Sequence, residues 1–376
     1  MKINTRIWSP AKLIGALIVA AVAAFAQDAA TPILNHTFED NDGGWQGVGP
    51  SAVVSLTHEA ASVKHGKGAL QFAYSLKKGP MNLLLLPTPD MVLTKAKSLR
   101  FWVKTDHATP LAFVLQEKDG GRYNAIFSTR RDTWQEVELS TADFVLDTGK
   151  DAPKDAAGKL DMDQVEAAGI ADVAQFFVQG DDALAKAFGI EAGPRSLFLD
   201  DFVISPAAVA PATTLKGGEG TLDTFAHPQV GWIATGEVKL THTSGKPLDG
   251  SGMQAQYHQA PAKIAGFSKY LPPAALTGAT RLVLSAASEK PAKLIVQVEE
   301  KSGGKYNTTI ELPGNSGRAD LSVKFADFKQ AMDSHDDNNR LDLDQVTQII
   351  FFDATGILDN TDADNTLWIN NIKAVK

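Results

Sequence analysis

The strongest constraint on this chain is that it contains itself twice. EKDGGRYN at 117–124 returns as EKSGGKYN at 300–307. Phe38 to Gly44-Trp45 is matched, at the same internal spacing, by Phe225 to Gly231-Trp232. ADF at 142–144 recurs at 326–328, KLDMDQV at 159–165 recurs as RLDLDQV at 340–346, and SLFLDDFVIS at 196–205 recurs as TLWINNIKAV at 366–375. Landmarks in one order at an offset of roughly 180 residues imply two copies of one domain, each able to bury its own core. The pattern argues against one large enzyme with a single composite active site.

The N-terminus predicts export. Lys2, Arg6 and Lys12 precede the apolar run Leu13 to Phe25, and Ala24-Phe25-Ala26 supplies small residues for cleavage, so residues 1–26 form a signal peptide. That run is too short to span a bilayer comfortably, so no membrane insertion of the mature chain is expected. With no cysteine there is neither a lipid-anchored cysteine nor a disulfide framework. Removing the three signal-peptide cations takes the formal net charge from −8 to −11. An acidic chain without a basic stripe makes a poor nucleic-acid binder. A periplasmic or secreted location follows.

Between the copies runs SPAAVAPATTLKGGEG, 205–220, rich in proline, alanine and glycine and without an apolar period. It predicts a linker (residues 207–220) between a first domain at 31–206 and a second at 221–376, with a reach that lets the two sit together or apart. Within each copy the apolar period is two. Leu99, Phe101 and Val103 form one row, and Leu111, Phe113 and Leu115 form another, matched by Leu294, Val296 and Val298. Asp119-Gly120-Gly121 and Ser302-Gly303-Gly304 punctuate hairpins. Only short helical turns are expected, for instance beginning near Asp161 or Asp342. The fold class is all-β: two tandem jelly-roll sandwiches.

FED followed by GW, GALQFAY at 68–74, SLRFWVKTD at 98–106, DGGRY at 119–123, the 134–144 segment and LFLDDFVI at 197–204 together resemble the galactose-binding-like β-sandwich. More narrowly they resemble carbohydrate-binding-module family 11 and the complex I intermediate-associated protein 30 group. The resemblance spans most of 31–206 and covers the second copy more loosely. It implies a concave sheet that holds a polysaccharide and a structural calcium near the domain ends. Fold alone does not license function.

Catalytic signatures are missing. No HExxH, GxSxG, P-loop or dinucleotide fingerprint occurs, and GNSG at 314–317 lies in a turn between strands. An acid pair in a groove remains an alternative, as in glycan cleavage.

The candidate sugar-contacting residues are Arg100, Trp102, Lys104, Gln116, Tyr123 and Trp134. Alternation puts Trp102 opposite the apolar row, between two cations that can bond hydroxyls. Aligned on the repeat, Arg100, Trp102 and Lys104 face Val283, Ser285 and Ala287, and Trp134 faces Arg318, so these residues are not needed to build the fold. Trp45 and Trp232 occur in both copies and read as packing. Candidate calcium ligands are Glu39, Asp40, Asp200 and Asp201, weakened in the second copy to Ala226, His227, Asn370 and Asn371. The acidic stretch 333–344 lacks the glycine and closing glutamate of a calcium-binding hand and reads as a solvated loop.

The sequence therefore predicts an exported, non-catalytic protein binding a polysaccharide or oligosaccharide through the first domain, with avidity if both domains bind. The alternatives are a glycan-cleaving enzyme and an assembly protein with a protein partner.

Overall fold

The computed structural model describes residues 31–148, 155–179, 185, 190–261 and 263–376, so the export segment lies outside the described residues. Residues Thr31–Lys376 form one compact unit. Strands are numbered β1 to β24 along the chain.

The period-two rows become two stacked sheets in each half. Sheet I runs β3 (Val53–Thr57), β4 (Ala69–Leu76), β12 (Gly193–Ser205), β6 (Ser98–Thr105), β9 (Gln135–Ser140), with β1 (Leu34–His36) also on β12. Sheet II runs β2 (Gln46–Val48), β5 (Leu83–Pro87), β11 (Val165–Asp172), β7 (Thr109–Glu117), β8 (Arg122–Thr129), β10 (Val145–Leu146). The second half repeats both orders. Sheet III is β15 (Lys239–Ser244), β16 (Ser251–Gln259), β24 (Ala363–Val375), β18 (Arg281–Ser288), β21 (Ala319–Lys324), with β13 (Gly220–Asp223) on β24. Sheet IV is β14 (Ile233–Thr235), β17 (Ala265–Tyr270), β23 (Val346–Asp353), β19 (Ala292–Glu300), β20 (Lys305–Leu312), β22 (Lys329–Gln330).

Each sandwich closes over its own core. In the first, Phe101 and Val103 from sheet I meet Phe113, Leu115 and Phe127 from sheet II, all fully buried. The rings of Phe101, Phe113 and Phe202 lie 5.6–6.0 Å apart. Burying each such side chain contributes about 1.5–3 kcal/mol. Trp45 and Trp232 belong to these cores, as their recurrence predicts.

The repeat extends to individual hydrogen bonds. Tyr74 donates to Asp172 at 2.7 Å, and Tyr257 donates to Asp353 at 2.6 Å. The same aspartates accept from the first N–H of the helices that follow, Ala174 N of α1 (Ala174–Gln179) and Thr355 N of α2 (Thr355–Asp359). The sequence reading expects short helical turns, for instance near Asp161 and Asp342. There the chain makes single turns, closed by Gln164 N to Asp161 O and Gln345 N to Asp342 O.

Segment 207–220 is not a free spacer. Lys216 and Glu219 bridge as a tight turn, Thr214 pairs with Thr221, and Ala212 N donates to Asp143 Oδ1. Gly218 stands at φ +81, where a Cβ would meet Thr277 O at 2.2 Å. Gly218 therefore serves close packing against the second sandwich. Beyond the linker, Ser128 N donates to Val230 O at 2.9 Å, and the Gln229 side chain bonds both backbone groups of Glu138. The sandwiches are joined side by side.

Candidate functional site

Strand alternation turns one row of each sheet inward and leaves the other outward. On sheet II the outward positions include Leu83, Leu85, Val114, Gln116, Asn124 and Ile126, all partly exposed. They form the floor of a cleft of 1230 Å³. Register fixes the floor: Val114 pairs with Gly169 on one side and Asn124 on the other, while Gln116 pairs with Ala167 and Arg122. A Cβ on Gly169 would meet Leu84 O at 2.7 Å, so the strands approach closely here.

The polar groups of the floor are oriented. Gln116 Nε2 donates to the carbonyls of Glu117 and Gly121 at 3.0 and 3.1 Å. Arg122 is held by Asp147 at 2.9 Å from Nε. The second sandwich supplies the opposite side with Tyr270, Pro272, Pro273, Glu299 and Gln348. Two aromatic side chains in the lining are exposed, Phe176 of α1 at 57 % and Tyr270 of β17 at 47 %. Burial, with Glu299 nearby, raises the Tyr270 phenol above its ordinary value.

One part of the lining is charged and buried. Lys269 Nζ and Asp223 Oδ2 are 3.0 Å apart. His227, 4 % exposed, stands with Nδ1 3.4 Å from Glu138 and Nε2 4.0 Å from Asp143. Burial pushes the Asp143 carboxyl up, opposed by the N–H groups of Ser140 and Ala212 and by the charges of His227 and Lys269.

Of the six sugar-contact candidates, only Gln116 lines the cleft. Arg100, Trp102, Lys104 and Trp134 belong to the opposite sheet, because β6 and β9 lie in sheet I. Trp102 does point away from the core, but Lys64 Nζ sits 4.0 Å over its ring and His65 packs edge-on at 5.7 Å. Arg100 pairs with Glu136 at 3.1 Å. Lys104 shares that outer face but is buried on it: its ammonium donates to Ala61 O and lies 4.7 Å over Phe198 and 5.6 Å over Trp134, and burial lowers its pKa. Trp134 is half-buried, with its Nε1 enclosed and without a hydrogen-bond acceptor. Tyr123 needs correcting as a surface residue. It is 2 % exposed, lies in the core and donates its hydroxyl to Asp155.

The repeat alignment itself holds. Trp102 pairs with Asp200 as Ser285 pairs with Asn370, and Gln135 pairs with Val103 as Ala319 pairs with Ala286, which puts Trp134 against Arg318.

The calcium candidates gather on one loop. Both oxygens of Glu39 accept from Lys67 N, Asp200 accepts from Lys64 N and His65 N, and Asp201 accepts from His65 at 2.6 Å. Asp40 is exposed. These oxygens face N–H groups, whereas calcium needs six to eight oxygen ligands, so the residues as arranged do not fit that ion.

Among the described residues, one set of three acids brings its oxygens within 4.8 Å of one another: Glu117, Asp119 and Asp155. Glu117 is buried and accepts from Asp161 N, and the second copy repeats the contact between Glu300 and Asp342 N. A device kept in both copies locks the hairpin. Burial, reinforced by the charges of Asp119, Asp155 and Asp161, raises Glu117 from 4.5 to about 6 against its hydrogen bond from Asp161. A carboxyl raised on folding stabilises fully below the unfolded value, and that contribution disappears as pH rises through the folded one. In urea unfolding, wild-type stability should therefore lose Glu117's share between pH 4.5 and about 6. Glu117→Gln should flatten that fall, and an unchanged slope would dissociate Glu117 from it.

No protein-family profile matches this chain, and no curated protein matches it. Solved structures do. The family 11 carbohydrate-binding module of the cellulosomal cellulase Lic26A-Cel5E of Clostridium thermocellum is 19 % identical at a TM-score of 0.34, over 43 % of this chain and 95 % of the module. The tandem family 22 modules of Paenibacillus barcinonensis Xyn10C are 14 % identical at a TM-score of 0.31, over 93 % of this chain and 99 % of the tandem. The chain resembles carbohydrate-binding modules in tandem. The first of those family 22 modules, described as a xylan-binding domain, is 17 % identical at a TM-score of 0.31, over 48 % of this chain and 98 % of the module.

Tyr270 and Phe176 escaped the sequence reading. Tyr270 has no aromatic counterpart, since β5 has Pro87 at the equivalent register. Its only local signal is an aromatic at a strand end, directly before Leu271-Pro272-Pro273.

Proposed function

We propose that this is an exported, non-catalytic carbohydrate-binding protein that holds a glycan in the cleft over sheet II. The observation carrying this reading is the cleft itself: 1230 Å³, with the exposed rings of Tyr270 and Phe176 and the polar side chains of Gln116, Arg122 and Asn124 in its lining. Aromatic rings stack on the apolar faces of sugar rings, and amide and guanidinium groups satisfy hydroxyls. Export rests on the N-terminal segment. No helix among the described residues is long and apolar enough to cross a membrane.

Three of the six acids that line the cleft are committed to partners, which favours binding over cleavage; Glu166, Glu299 and Glu300 line it as well. Asp147 is tied to Arg122, Asp223 to Lys269 and Trp232, and Asp143 to the N–H groups of Ser140 and Ala212. A glycosidase needs one carboxyl free to protonate and another free to attack or activate water.

Mixed-linked β-1,3-1,4-glucan, a tetrasaccharide of which is bound in a family 11 module of Clostridium thermocellum, and xylan, for the xylan-binding family 22 module, head the panel for affinity electrophoresis and calorimetry. Gln116→Ala should weaken glycan binding about tenfold, the loss of about 1.4 kcal/mol. Trp102→Ala, on the opposite sheet, should leave binding unchanged. The reverse pattern would move the site to sheet I, and release of reducing ends would make the protein an enzyme.

A further inference from the structure

We infer that the two sandwiches build one binding site between them, taking a single extended glycan chain, in place of two independent sites. This inference rests on the carbohydrate reading above and specifies the ligand that the cleft takes.

A second cavity, of 210 Å³, lies on the outward face of sheet IV, lined by Ile233, Thr235, Ser268 and Phe352 among others. It shares Phe177, Tyr270, Glu299 and Gln348 with the large cleft. Phe177 comes from α1 of the first sandwich, and the other three come from sheet IV of the second. The two cavities therefore meet at a boundary made by both halves.

Strand register shows what each half brings to that boundary. On sheet IV, Gln348 pairs with Tyr270 on one side and with Glu299 on the other, a polar and aromatic row across three strands. The equivalent row of sheet II is Pro87, Ala167 and Gln116. Two of the three positions are small or apolar in the first copy, Pro87 and Ala167, where the second has an aromatic ring and an amide, and Gln116 stands where the second has the Glu299 carboxylate. A sugar chain over sheet II alone meets mostly aliphatic side chains, which leave desolvated hydroxyls unpaired at about 1–3 kcal/mol each. The row from the second copy adds a second stacking ring and further hydrogen-bond partners to Phe176, Gln116, Arg122 and Asn124 of the first.

The halves are also held for this. Ser128 N to Val230 O, Gln229 to the Glu138 backbone and Ala212 N to Asp143 join them at fixed positions. A site assembled on a fixed joint costs no linker ordering on binding. The avidity of two tethered modules does not arise.

The test is calorimetry on the full chain with a ladder of oligosaccharides of increasing length, cut from whichever glycan of the panel binds. One ligand per chain is expected. Tyr270→Ala and Gln116→Ala, from opposite sandwiches, should each weaken that one isotherm about tenfold. Tyr270 is half exposed, so its loss should spare the fold, which thermal melting verifies; Gln348→Ala provides a second variant from the same row. Two ligands per chain overturn the inference, as does full affinity in both Tyr270→Ala and Gln348→Ala. Provided Gln116→Ala still weakens binding, the carbohydrate reading then survives alone. If no glycan binds, the carbohydrate reading fails and this inference fails with it.

Discussion

Asp172→Ala should be among the most destabilising single substitutions in the first sandwich, costing about 3–5 kcal/mol, because it strands a buried cation. Asp172 and Arg195 are almost wholly buried, with Arg195 Nη1 3.8 Å from Asp172 Oδ2. Arg195 Nη2 donates to Glu191 O at 3.0 Å, while Nε and Nη1 are buried with no hydrogen-bond acceptor among the described residues, where the Asp172 carboxylate is the charge that offsets them. The same carboxylate accepts from Tyr74 and Thr109, both at 2.7 Å, and from Ala174 N at 2.9 Å. Alanine removes the counter-charge and three acceptor contacts together, one of them to the first N–H of α1. The second copy provides an internal comparison. Asp353 accepts from Tyr257, Gln259 and Thr355 N, all neutral. Asp353→Ala therefore leaves unpaired dipoles but no stranded charge, at about 1–3 kcal/mol. Scanning calorimetry should show Asp172→Ala lowering Tm by about 10 °C, since 1 kcal/mol is worth about 2–4 °C for domains of this size. Equal losses for the two variants would show that the Arg195 charge contributes nothing.

The architecture was legible because it rests on local pattern. A period of two, a doubled landmark series and glycine pairs between rows of valine and leucine define strands, hairpins and two copies without any long-range information. The linker misled for a physical reason. Proline, alanine and glycine signal freedom only when nothing packs on them, and Gly218 lies so close to Thr277 that no side chain fits. The Tyr74–Asp172 and Tyr257–Asp353 contacts were invisible because their partners are 98 and 96 residues apart.

The site was half legible. Comparing the copies position by position is sound, since divergence on a shared scaffold marks what folding does not require. Trp102 against Ser285 stands out because tryptophan is conspicuous, yet that row lies on sheets I and III. The rows that face the cleft differ more quietly: Pro87 against Tyr270, Ala167 against Gln348, Gln116 against Glu299. Nothing local says which of two outward faces a neighbouring domain will roof. That depends on the joint made by Gln229, Val230 and Ser128, which only the folded chain displays.

Trp232→Ala should cost the second sandwich about 3–5 kcal/mol, the usual range for emptying a buried tryptophan site. Trp232 is 0 % exposed, with Phe267 and Phe351 packed at ring distances of 5.7 and 5.8 Å. Its Nε1 donates to Asp223 at 2.9 Å, and the same oxygen holds Lys269 at 3.0 Å. Truncation thus opens a cavity and leaves the buried Asp223 with one donor fewer. Trp232→Phe separates the two effects: it keeps most of the packing and removes only the N–H, at about 1.5–3 kcal/mol for a hydrogen bond to a charged group. In the first sandwich, Trp45 meets Phe202 edge-on at 5.1 Å, but its Nε1 reaches His36 at a longer 3.3 Å. Trp45→Phe should therefore cost less than Trp232→Phe, while both alanine variants are severe. The effect of Trp232 should also reach the cleft. Asp223, which its Nε1 contacts, and Lys269 both line the cleft. Urea unfolding ranks the four variants, and glycan calorimetry on Trp232→Phe reads the Asp223 contact. Equal losses for the two phenylalanine variants would mean that the Asp223 contact adds nothing beyond packing, while weaker glycan binding by a stably folded Trp232→Phe would tie that contact to the cleft.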